Sequence, residues 1–276
     1  MARDLLPIVQ AALHGRYTVS AEIGRGGAAR VFRASDPQGN AIALKVLRPE
    51  LTVTVTADRF LREIQLIQRL EHPLIGRLLD SGQTDWIVYY AMPFIEGPSL
   101  QQVLQRRGGA ISGPDCRRVA NDLLSALGHA HHRGVVHRDV KPDNILIGPE
   151  GAVLVDFGIA RAIELAGTDR LTKSGMAVGT SRYMSPEQIA GGDLIDPRSD
   201  LYSLGCVLFE CATGRPPYQH PNELAILELH RTAPVPDPRT VVPAIPAPLA
   251  LAIMRALAKA PQERWPSAAA MAAALG

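Results

Sequence analysis

The 276-residue sequence predicts an α+β fold in two parts, a small strand-rich part followed by a larger, mostly helical part. In the first third of the chain, alternating apolar segments flank glycines, as expected of strands and their turns. After residue 97, long apolar stripes recur at helical spacing. Hydrophobic residues make up 46% of the chain and charged residues 20%, which is typical of a folded globular protein and not of a disordered one.

Two helices are predicted in the first part. The amino-terminal residues MARDLLPIVQAALHG form a poor signal peptide and predict a short docked helix, because one helical face carries Leu5, Val9, Ala12 and Leu13. A second helix is expected near residues 57–70, where apolar side chains recur at helical spacing at Phe60, Ile64, Ile67 and Leu70.

The strands of the first part are predicted from four segments. RYTVSAEIGRGG and ARVFRAS flank glycines, and NAIALKVL alternates in the way of a buried strand. RLLDSGQTDWIVYYAM predicts a hairpin with its turn at residues 81–85. PFIEG, at residues 93–97, then connects this part to the next.

The second part predicts mainly helices. A long apolar stripe runs through residues 115–134, where Gly134 provides a stop signal. The pattern is again mostly helical from residue 197, broken by proline-rich turns at 216–221 and 234–248.

The composition of the chain indicates which classes of binding partner are not expected. A formal net charge of +2 is too small to predict a nucleic-acid or membrane partner, and no apolar run approaches the about 18 residues of a membrane span. The three cysteines lack metal-site spacing and predict reduced thiols in a cytoplasmic protein. Only four lysines stand among many arginines, so each lysine raises the question of whether a compact ammonium is needed there.

The glycine-rich stretch IGRGGAARV, residues 23–31, could place backbone N–H groups against phosphate. Alone it is a weak indication, since glycine-rich turns between strands are common. It is followed by a strand and not a helix, which argues against a Rossmann turn, and it lacks the Gly-Lys-Ser/Thr ending of a P-loop.

A polar cluster interrupts the apolar flanks of VVHRDVKPDNILI, residues 135–147, and the segment VDFGIA follows it. Asn144 and Asp156 offer the oxygen ligands that suit Mg²⁺, which leaves Asp139 to accept a hydroxyl proton. Lys45 and Glu63 are, taken singly, an ordinary strand lysine and a solvated glutamate. Taken together they could form an ion pair that directs the ammonium at a phosphate.

Together these motifs resemble those of the eukaryotic-type (Hanks-type) serine/threonine protein kinases, in particular the bacterial subgroup. The resemblance covers residues 16–276 and rests on an ordered set: GRGGAARV, Lys45, Glu63, HRDVKPDN, DFG, GT at 179–180 and SPE at 185–187, with Asp200 and Arg264 as structural anchors. It implies a bilobal protein-kinase fold. Its parts would be an extension at 1–15, an antiparallel-sheet N-lobe with one main helix at 16–91, a hinge at 92–97 and a mostly helical C-lobe at 98–276.

The resemblance implies a role for each matching residue. Asp139 would be the base, Lys141 would neutralise the transferring phosphoryl group, and Lys45 paired with Glu63 would hold the α- and β-phosphates. Asn144 and Asp156 would bind Mg²⁺, or Mn²⁺ in its place. The implied ATP contacts are Ile23, Gly24, Arg25, Gly26, Gly27, Ala28, Ala29, Val31, Ala43, Lys45, Met92, Pro93, Phe94, Ile95 and Leu146.

Regulation is implied in the same way. Thr172 and Ser174 stand where related bacterial kinases carry activating phosphates, Arg138 would receive them, and Thr180 belongs to the substrate segment. The expected partners are ATP and protein substrates that include the chain itself, and a homodimer is compatible with this. The expected location is the cytoplasm, either as a free kinase or as the cytoplasmic domain of a larger membrane-anchored one.

Two other functions compete with this interpretation. A pseudokinase scaffold would be expected to lack Lys45, Asp139 or Asp156, and all three are present. An antibiotic phosphotransferase of related fold would lack the long segment from Asp156 to Glu187. The departures from the family pattern are small-for-small changes, Ala29 for the third loop glycine and Ser185 for an alanine.

Overall fold

The computed structural model describes residues 5–26, 29–48, 60–61, 64–65, 67–84, 87–157, 180–191 and 195–275. These residues form two compact units. The first contains the described residues up to 71 together with 76–95, and the second contains 72–75, 96–157 and the described residues from 180 onward. Among the described helices, none combines the length and the apolar character that crossing a bilayer requires.

The first unit is a five-stranded antiparallel sheet preceded by a short helix, as predicted. Its strand order is β1-β2-β3-β5-β4. The elements are α1 (Leu6–Ala12), β1 (Thr18–Arg25), β2 (Ala29–Ser35), β3 (Ala41–Leu47), β4 (Asp80–Thr84) and β5 (Ile87–Pro93).

Helix α1 docks on this sheet through the apolar face that the sequence predicted. Leu5, Val9 and Leu13 are buried in one cluster with Phe32 of β2 and Tyr89 of β5. Burying such side chains stabilises a fold by roughly 1.5–3 kcal/mol each relative to leaving them exposed. Of the predicted helix near 57–70, the described positions include four buried apolar residues: Phe60, Ile64, Ile67 and Leu70.

The predicted hairpin is present, but its predicted turn at 81–85 was wrong. Residues 80–84 form β4, with Thr84 paired to Ile87 of β5. The connecting residues 85–86 lie outside the described residues. Gly82 lies opposite Tyr89, and a Cβ atom at Gly82 would come 2.7 Å from the Tyr89 hydroxyl oxygen. The glycine that indicated a turn is therefore needed inside the strand, because a tyrosine side chain packs across it.

The second unit is mostly helical, and the predicted helical segments are confirmed. Its helices are α2 (Leu100–Arg106), α3 (Gly113–His131), α4 (Pro186–Ala190), α5 (Pro197–Thr213), α6 (Glu223–Thr232), α7 (Ala247–Ala256) and α8 (Ala268–Leu275). One antiparallel hairpin joins β6 (Ile145–Gly148) to β7 (Gly151–Leu154). Short 3₁₀ turns cover Pro142–Asn144 and Thr180–Tyr183.

Helix α5 forms the centre of the second unit. Every residue from Ser199 to Cys211 is buried, so this helix is enclosed on all sides, unlike an amphipathic surface helix. A Cβ atom at Gly205 would lie 2.9 Å from that of Ala256, which shows how closely α7 approaches α5. The first turn of α5 carries a fully buried carboxylate, Asp200, and the polar loop described next is built on it.

Candidate active site

The polar cluster of the sequence lies in the loop between α3 and β6, residues 132–144, called the catalytic loop below. It ends in the 3₁₀ turn Pro142–Asn144 and leads directly into β6. The backbone N–H of Val155, just after β7, donates to the carbonyl of Asn144 at 2.9 Å. The β6–β7 hairpin therefore places the end of this loop beside the residues that follow β7.

Asp200 holds the catalytic loop in place through hydrogen bonds to the loop backbone. Its carboxylate accepts hydrogen bonds from the backbone N–H groups of His137 and Arg138 and from Nε2 of His131, each at 2.8 Å. A buried carboxylate is costly unless it is paired and hydrogen-bonded, and these three donors satisfy it. The buried charge thus fixes the backbone that directly precedes Asp139.

His137 gives the loop a second support. It is fully buried and accepts the backbone N–H of Asp139 at its Nδ1, 3.1 Å away. Its Nε2 donates to the carbonyl of Val155 at 2.9 Å, and its ring contacts that of Phe157 edge-on at 4.6 Å. The ring therefore joins the backbone of Asp139 to the segment that carries Asp156.

Asp139, Lys141 and Asn144 are brought together. The Lys141 ammonium donates to Oδ2 of Asp139 at 2.6 Å. The Asn144 amide nitrogen donates to the same oxygen at 3.0 Å and to the Asp139 carbonyl at 2.8 Å. Asp139 and Lys141 are only partly buried, so the carboxylate is held in place and still reachable by a reactant.

Asp156 lies where the loop end and the β7 end meet. Asp156 and Arg138 both have a left-handed backbone, with φ of 67° and 68°, and they are the only non-glycine residues with positive φ among those described. Such a backbone costs about 1–2 kcal/mol per residue, and strain of this kind clusters at functional sites. The side-chain oxygens of Asn144 and Asp156 fit Mg²⁺, which takes few protein ligands and keeps water and phosphate oxygens. The described residues contain no group of three His, Cys, Asp or Glu suited to a metal.

In the first unit, the glycine-rich stretch forms the end of the β1–β2 hairpin. Gly24 pairs with Val31 and Arg25 with Arg30, and the N–H of Gly26 donates to the carbonyl of Ala29 at 2.9 Å. Ile23 is 47% exposed. Gly27 and Ala28 lie outside the described residues.

The other predicted ATP contacts of the first unit lie on β3 and at the end of β5. Lys45 is half-buried opposite Val31 and Tyr90, and the buried pair Ala43 and Met92 lies two positions away along the two strands. Farther along, the first unit contains Pro93, Phe94 and Ile95, and the N–H of Phe94 donates to the carbonyl of Ala41 at 2.9 Å. Glu63 lies outside the described residues, so its pairing with Lys45 stays a prediction. Leu146 belongs to β6 of the second unit, where it pairs with Val153.

The predicted substrate segment begins with the 3₁₀ turn Thr180–Tyr183. The Tyr183 hydroxyl donates to Glu210 of α5 at 2.5 Å, and Ser185 begins α4 in a capping box with Gln188. Gln188 also donates to the carbonyl of Arg138 at 2.7 Å, which ties α4 to the catalytic loop. Sequence reasoning missed this contact, and the capping pattern SPEQ was its one local signal. Thr172 and Ser174 lie outside the described residues.

A buried ion pair holds α4 in place. Arg264 is 1% exposed and binds both carboxylate oxygens of Glu187, at 2.6 and 2.8 Å. The Ser199 hydroxyl donates to Glu187 at 2.6 Å. Burial alone would raise the pKa of Glu187, but the hydrogen bonds and charge of Arg264, helped by Ser199, outweigh it and hold the pKa below its usual value.

Comparisons with known proteins agree on one family. A model described as "Protein kinase domain" matches residues 17–274. A probable serine/threonine-protein kinase PknB of Bifidobacterium longum is 38% identical over 266 residues, covering 92% of this chain and 38% of that protein. Serine/threonine-protein kinase PknH of Mycobacterium tuberculosis is 37% identical, covering 95% and 42%. The DNA damage-responsive serine/threonine-protein kinase RqkA of Deinococcus radiodurans is 39% identical, covering 94% and 39%.

The chain thus spans less than half the length of these curated relatives. Among solved structures, the kinase domain of Mycobacterium tuberculosis PknI matches with a TM-score of 0.74 at 28% identity and covers 95% of each chain. A point mutant of that kinase domain matches with a TM-score of 0.75 at 29% identity, covering 95% of this chain and 94% of the mutant.

Proposed function

The chain belongs to the protein kinase family, and we propose that it transfers the γ-phosphoryl group of ATP to serine and threonine hydroxyls of proteins. One observation carries this proposal: Asp139 is held by Lys141 and Asn144 on a loop that a buried carboxylate anchors. Phosphoryl transfer requires positioning and charge stabilisation more than covalent chemistry from the protein. An anchored, accessible carboxylate beside an ammonium supplies both.

Asp139 orients the acceptor hydroxyl and takes its proton. Lys141, 2.6 Å from that carboxylate, carries the positive charge that stabilises the phosphoryl group in transfer. Because Asn144 also donates to Asp139, the carboxylate keeps one orientation while the hydroxyl approaches. These roles match the family template residue by residue.

Asn144 and Asp156 are the proposed ligands of the divalent cation, Mg²⁺ with Mn²⁺ as a substitute. When bound, the metal–ATP complex supplies the phosphoryl group and neutralises charge on the phosphates. In the first unit, the proposed ATP-binding residues are Lys45, assisted by Glu63, the glycine-rich stretch 23–31, Ala43, Met92, Pro93, Phe94 and Ile95. In the second unit the proposed ATP contact is Leu146.

Serine and threonine are the proposed acceptors because Lys141 follows the base and Thr180 precedes SPE, as in kinases of this specificity. We also propose that the chain phosphorylates Thr172 and Ser174 in itself and that Arg138 binds the added phosphates. A homodimer would allow this step between two copies. Attachment of the kinase to a membrane through a longer chain, and the N-lobe, hinge and C-lobe boundaries, remain predictions.

The test is transfer from labelled ATP to a generic basic protein in the presence of Mg²⁺. Asp139→Asn is expected to lower turnover by about 100-fold or more, the usual cost of losing a general base, while ATP binding persists. Asp156→Asn is expected to weaken Mg²⁺-dependent ATP binding as well. Asp143→Asn is the matched control, because Asp143 is an exposed carboxylate of the same loop.

Three results would contradict the proposal. Near-normal turnover in Asp139→Asn would show that the base is misassigned. A parent chain that binds ATP and labels no protein would be a pseudokinase. Labelling of an aminoglycoside in place of protein would make the chain a small-molecule phosphotransferase.

A further inference from the structure

Lys259 makes a set of contacts that the proposed catalytic machinery does not use. Its ammonium donates to the carbonyls of His230 and Leu229 at 2.7 and 3.2 Å and to the Tyr218 hydroxyl at 2.8 Å. It also lies over the Tyr218 ring, 4.4 Å from the centroid. All three of its donors are therefore engaged.

Two of these acceptors belong to the last turn of α6. The Leu229 carbonyl also accepts the N–H of the C-cap residue Ala233 at 3.0 Å, whereas the His230 carbonyl is one of the last carbonyls of the helix, which have no donor four residues on within it. A cation at this end is further favoured by the helix dipole. Lys259 is one of only four lysines in the chain, and its compact ammonium can reach three oxygens that lie in different directions. A planar guanidinium cannot do this as readily.

His230 leads from this helix end towards the substrate segment. Its ring is fully buried between the rings of Tyr202 and Tyr218, and its Nδ1 shares a hydrogen bond of 2.8 Å with the Tyr202 hydroxyl. Burial, and then the charge of Lys259, lower the pKa of His230 to about 4, and the backbone of Arg182 opposes this shift. The ring is therefore neutral at physiological pH. Its Nε2 is buried and has no hydrogen-bond partner among the described residues, and the helix that carries it packs against the turn Thr180–Tyr183.

That turn has two supports. Tyr183 bonds to Glu210 of α5, and α6, which carries His230, packs against the turn and against α4. The backbone of Lys259 takes part as well, because its carbonyl accepts a bond of 2.9 Å from Arg264, whose other bonds hold Glu187 of α4. Lys259 thus joins the end of α6 to the ion pair that fixes α4.

We infer that Lys259 is a positioning residue for the protein substrate. It fixes the carboxyl end of α6, and α6, with His230 on it, packs against the turn Thr180–Tyr183 and holds that turn in place. This inference rests on the proposed function, because it takes Thr180 as part of the substrate segment. Lys259 acts through His230 and not on the reacting groups. Its loss therefore weakens the binding of the protein substrate more than it slows the transfer step.

The test compares Lys259→Met with Arg231→Met. Methionine keeps the apolar stem and removes the donors, and Arg231 is a half-exposed cation of the same helix end that bonds to Glu228. In Lys259→Met, KM for a peptide substrate is expected to rise about tenfold, as loss of charge-assisted hydrogen bonds predicts. KM for ATP and kcat are expected to stay within about twofold of the parent. Arg231→Met is expected to match the parent in all three.

Hydrogen exchange gives a readout that does not depend on activity. Backbone amides of 180–183 and of the last turn of α6 are expected to exchange faster in Lys259→Met and unchanged in Arg231→Met. Tyr202→Phe, which removes the hydroxyl bond to His230 and leaves Lys259 in place, is expected to shift the same peptide KM and the same amides at 180–183. It serves as the second variant should Lys259→Met fail to fold.

The outcomes separate the two proposals. A parent chain that transfers no phosphate to protein overturns the proposed function, and with it the substrate role of Lys259. In an active parent, the inference is overturned by an unchanged peptide KM in the folded variants, by an equal change in the KM for ATP, or by unchanged exchange at 180–183.

Discussion

The catalytic loop and the end of the β1–β2 hairpin are both proposed to handle phosphate, but they are held in different ways. In the catalytic loop, His137 and Arg138 bond to a fully buried carboxylate, and Asp139 bonds to Lys141 and Asn144. The hairpin end is held by backbone pairs such as Gly24 with Val31 and by ion pairs of Arg25 and Arg30 with Glu22, and the side chains of Ile23 and Arg25 are exposed.

This difference follows from what each region has to do. A base has to stand within a fraction of an ångström of the proton it accepts, which requires a buried, hydrogen-bonded support. A phosphate cradle works through backbone N–H groups, and small side chains let the backbone approach. The loop is therefore expected to be sensitive to changes far from its surface, and the hairpin end is expected to tolerate them.

The largest expected effect comes from the anchor. Asp200→Asn keeps the volume of the side chain but replaces a carboxylate that has three donors around it, so at least one donor loses its partner. Unfolding free energy is expected to fall by about 3 kcal/mol, and turnover by about 100-fold, because the base is displaced. Denaturant titration and the phosphotransfer assay measure both quantities.

Asp196→Asn is the control, because Asp196 caps the same helix from a half-exposed position. If Asp200→Asn loses no more activity or stability than this control, the loop does not depend on its buried anchor, and the comparison above is wrong.

The second largest loss of stability is expected from breaking the ion pair between Glu187 of α4 and Arg264. Glu187→Gln leaves the fully buried Arg264 without its carboxylate, and breaking a buried pair in this way costs about 3 kcal/mol. Glu228→Gln, which breaks the exposed pair with Arg231, is expected to cost about 0–1 kcal/mol. Thermal or denaturant unfolding measures the loss of stability in each variant. Equal losses in Glu187→Gln and Glu228→Gln would contradict the burial of the Glu187–Arg264 pair.

The same pair predicts how stability depends on pH. The pKa of Glu187 in the folded chain lies below its ordinary value of 4.5. The ionised Glu187 carboxylate therefore makes its full contribution to the free energy of unfolding above pH 4.5. This contribution is lost as the pH falls through the lowered folded-state pKa. The stability difference between the parent and Glu187→Gln is therefore expected to be constant near neutral pH and to shrink below 4.5. Unfolding titrations at a series of pH values test this, and a difference that grows on acidification would contradict it.

The smallest effect is expected at the hairpin end. A Cβ atom at Gly24 would lie 3.6 Å from the Val31 side chain, an ordinary contact, and the backbone there is not left-handed. Gly24→Ala is expected to change the unfolding free energy by less than about 0.5 kcal/mol, as for most surface substitutions, with a modest rise in KM for ATP. A loss as large as that of Asp200→Asn would show that the hairpin end is as tightly constrained as the loop.

Much of the fold could be predicted because its signals are local. Apolar alternation marked the strands of the first unit, and apolar stripes marked α3 and α5. The catalytic loop could be found because Asp139, Lys141 and Asn144 lie within six residues of one another. The turn prediction was wrong because Gly82 was taken as a turn residue. A glycine is required there by the side chain of Tyr89, which lies on the partner strand and is not near Gly82 in the sequence pattern.

The sequence by itself determined which segments are strands and helices, and which short run carries the polar groups for phosphoryl transfer. The resemblance marked Asp200 as a structural anchor, but only the tertiary structure decided which groups hold that run in place: Asp200, 61 residues after Asp139, binds the backbone before it, and Gln188, 50 residues from Arg138, binds the Arg138 carbonyl. The periodicity of apolar residues and the spacing of motif residues carry information about neighbours along the chain. A buried charge, in contrast, is satisfied by whichever hydrogen-bond donors the packing brings to it. Lys259 shows this most clearly. In the sequence it is one rare lysine in a helical region, and the hydrogen bonds to the carbonyls of α6, on which its inferred role rests, are formed only in the folded chain.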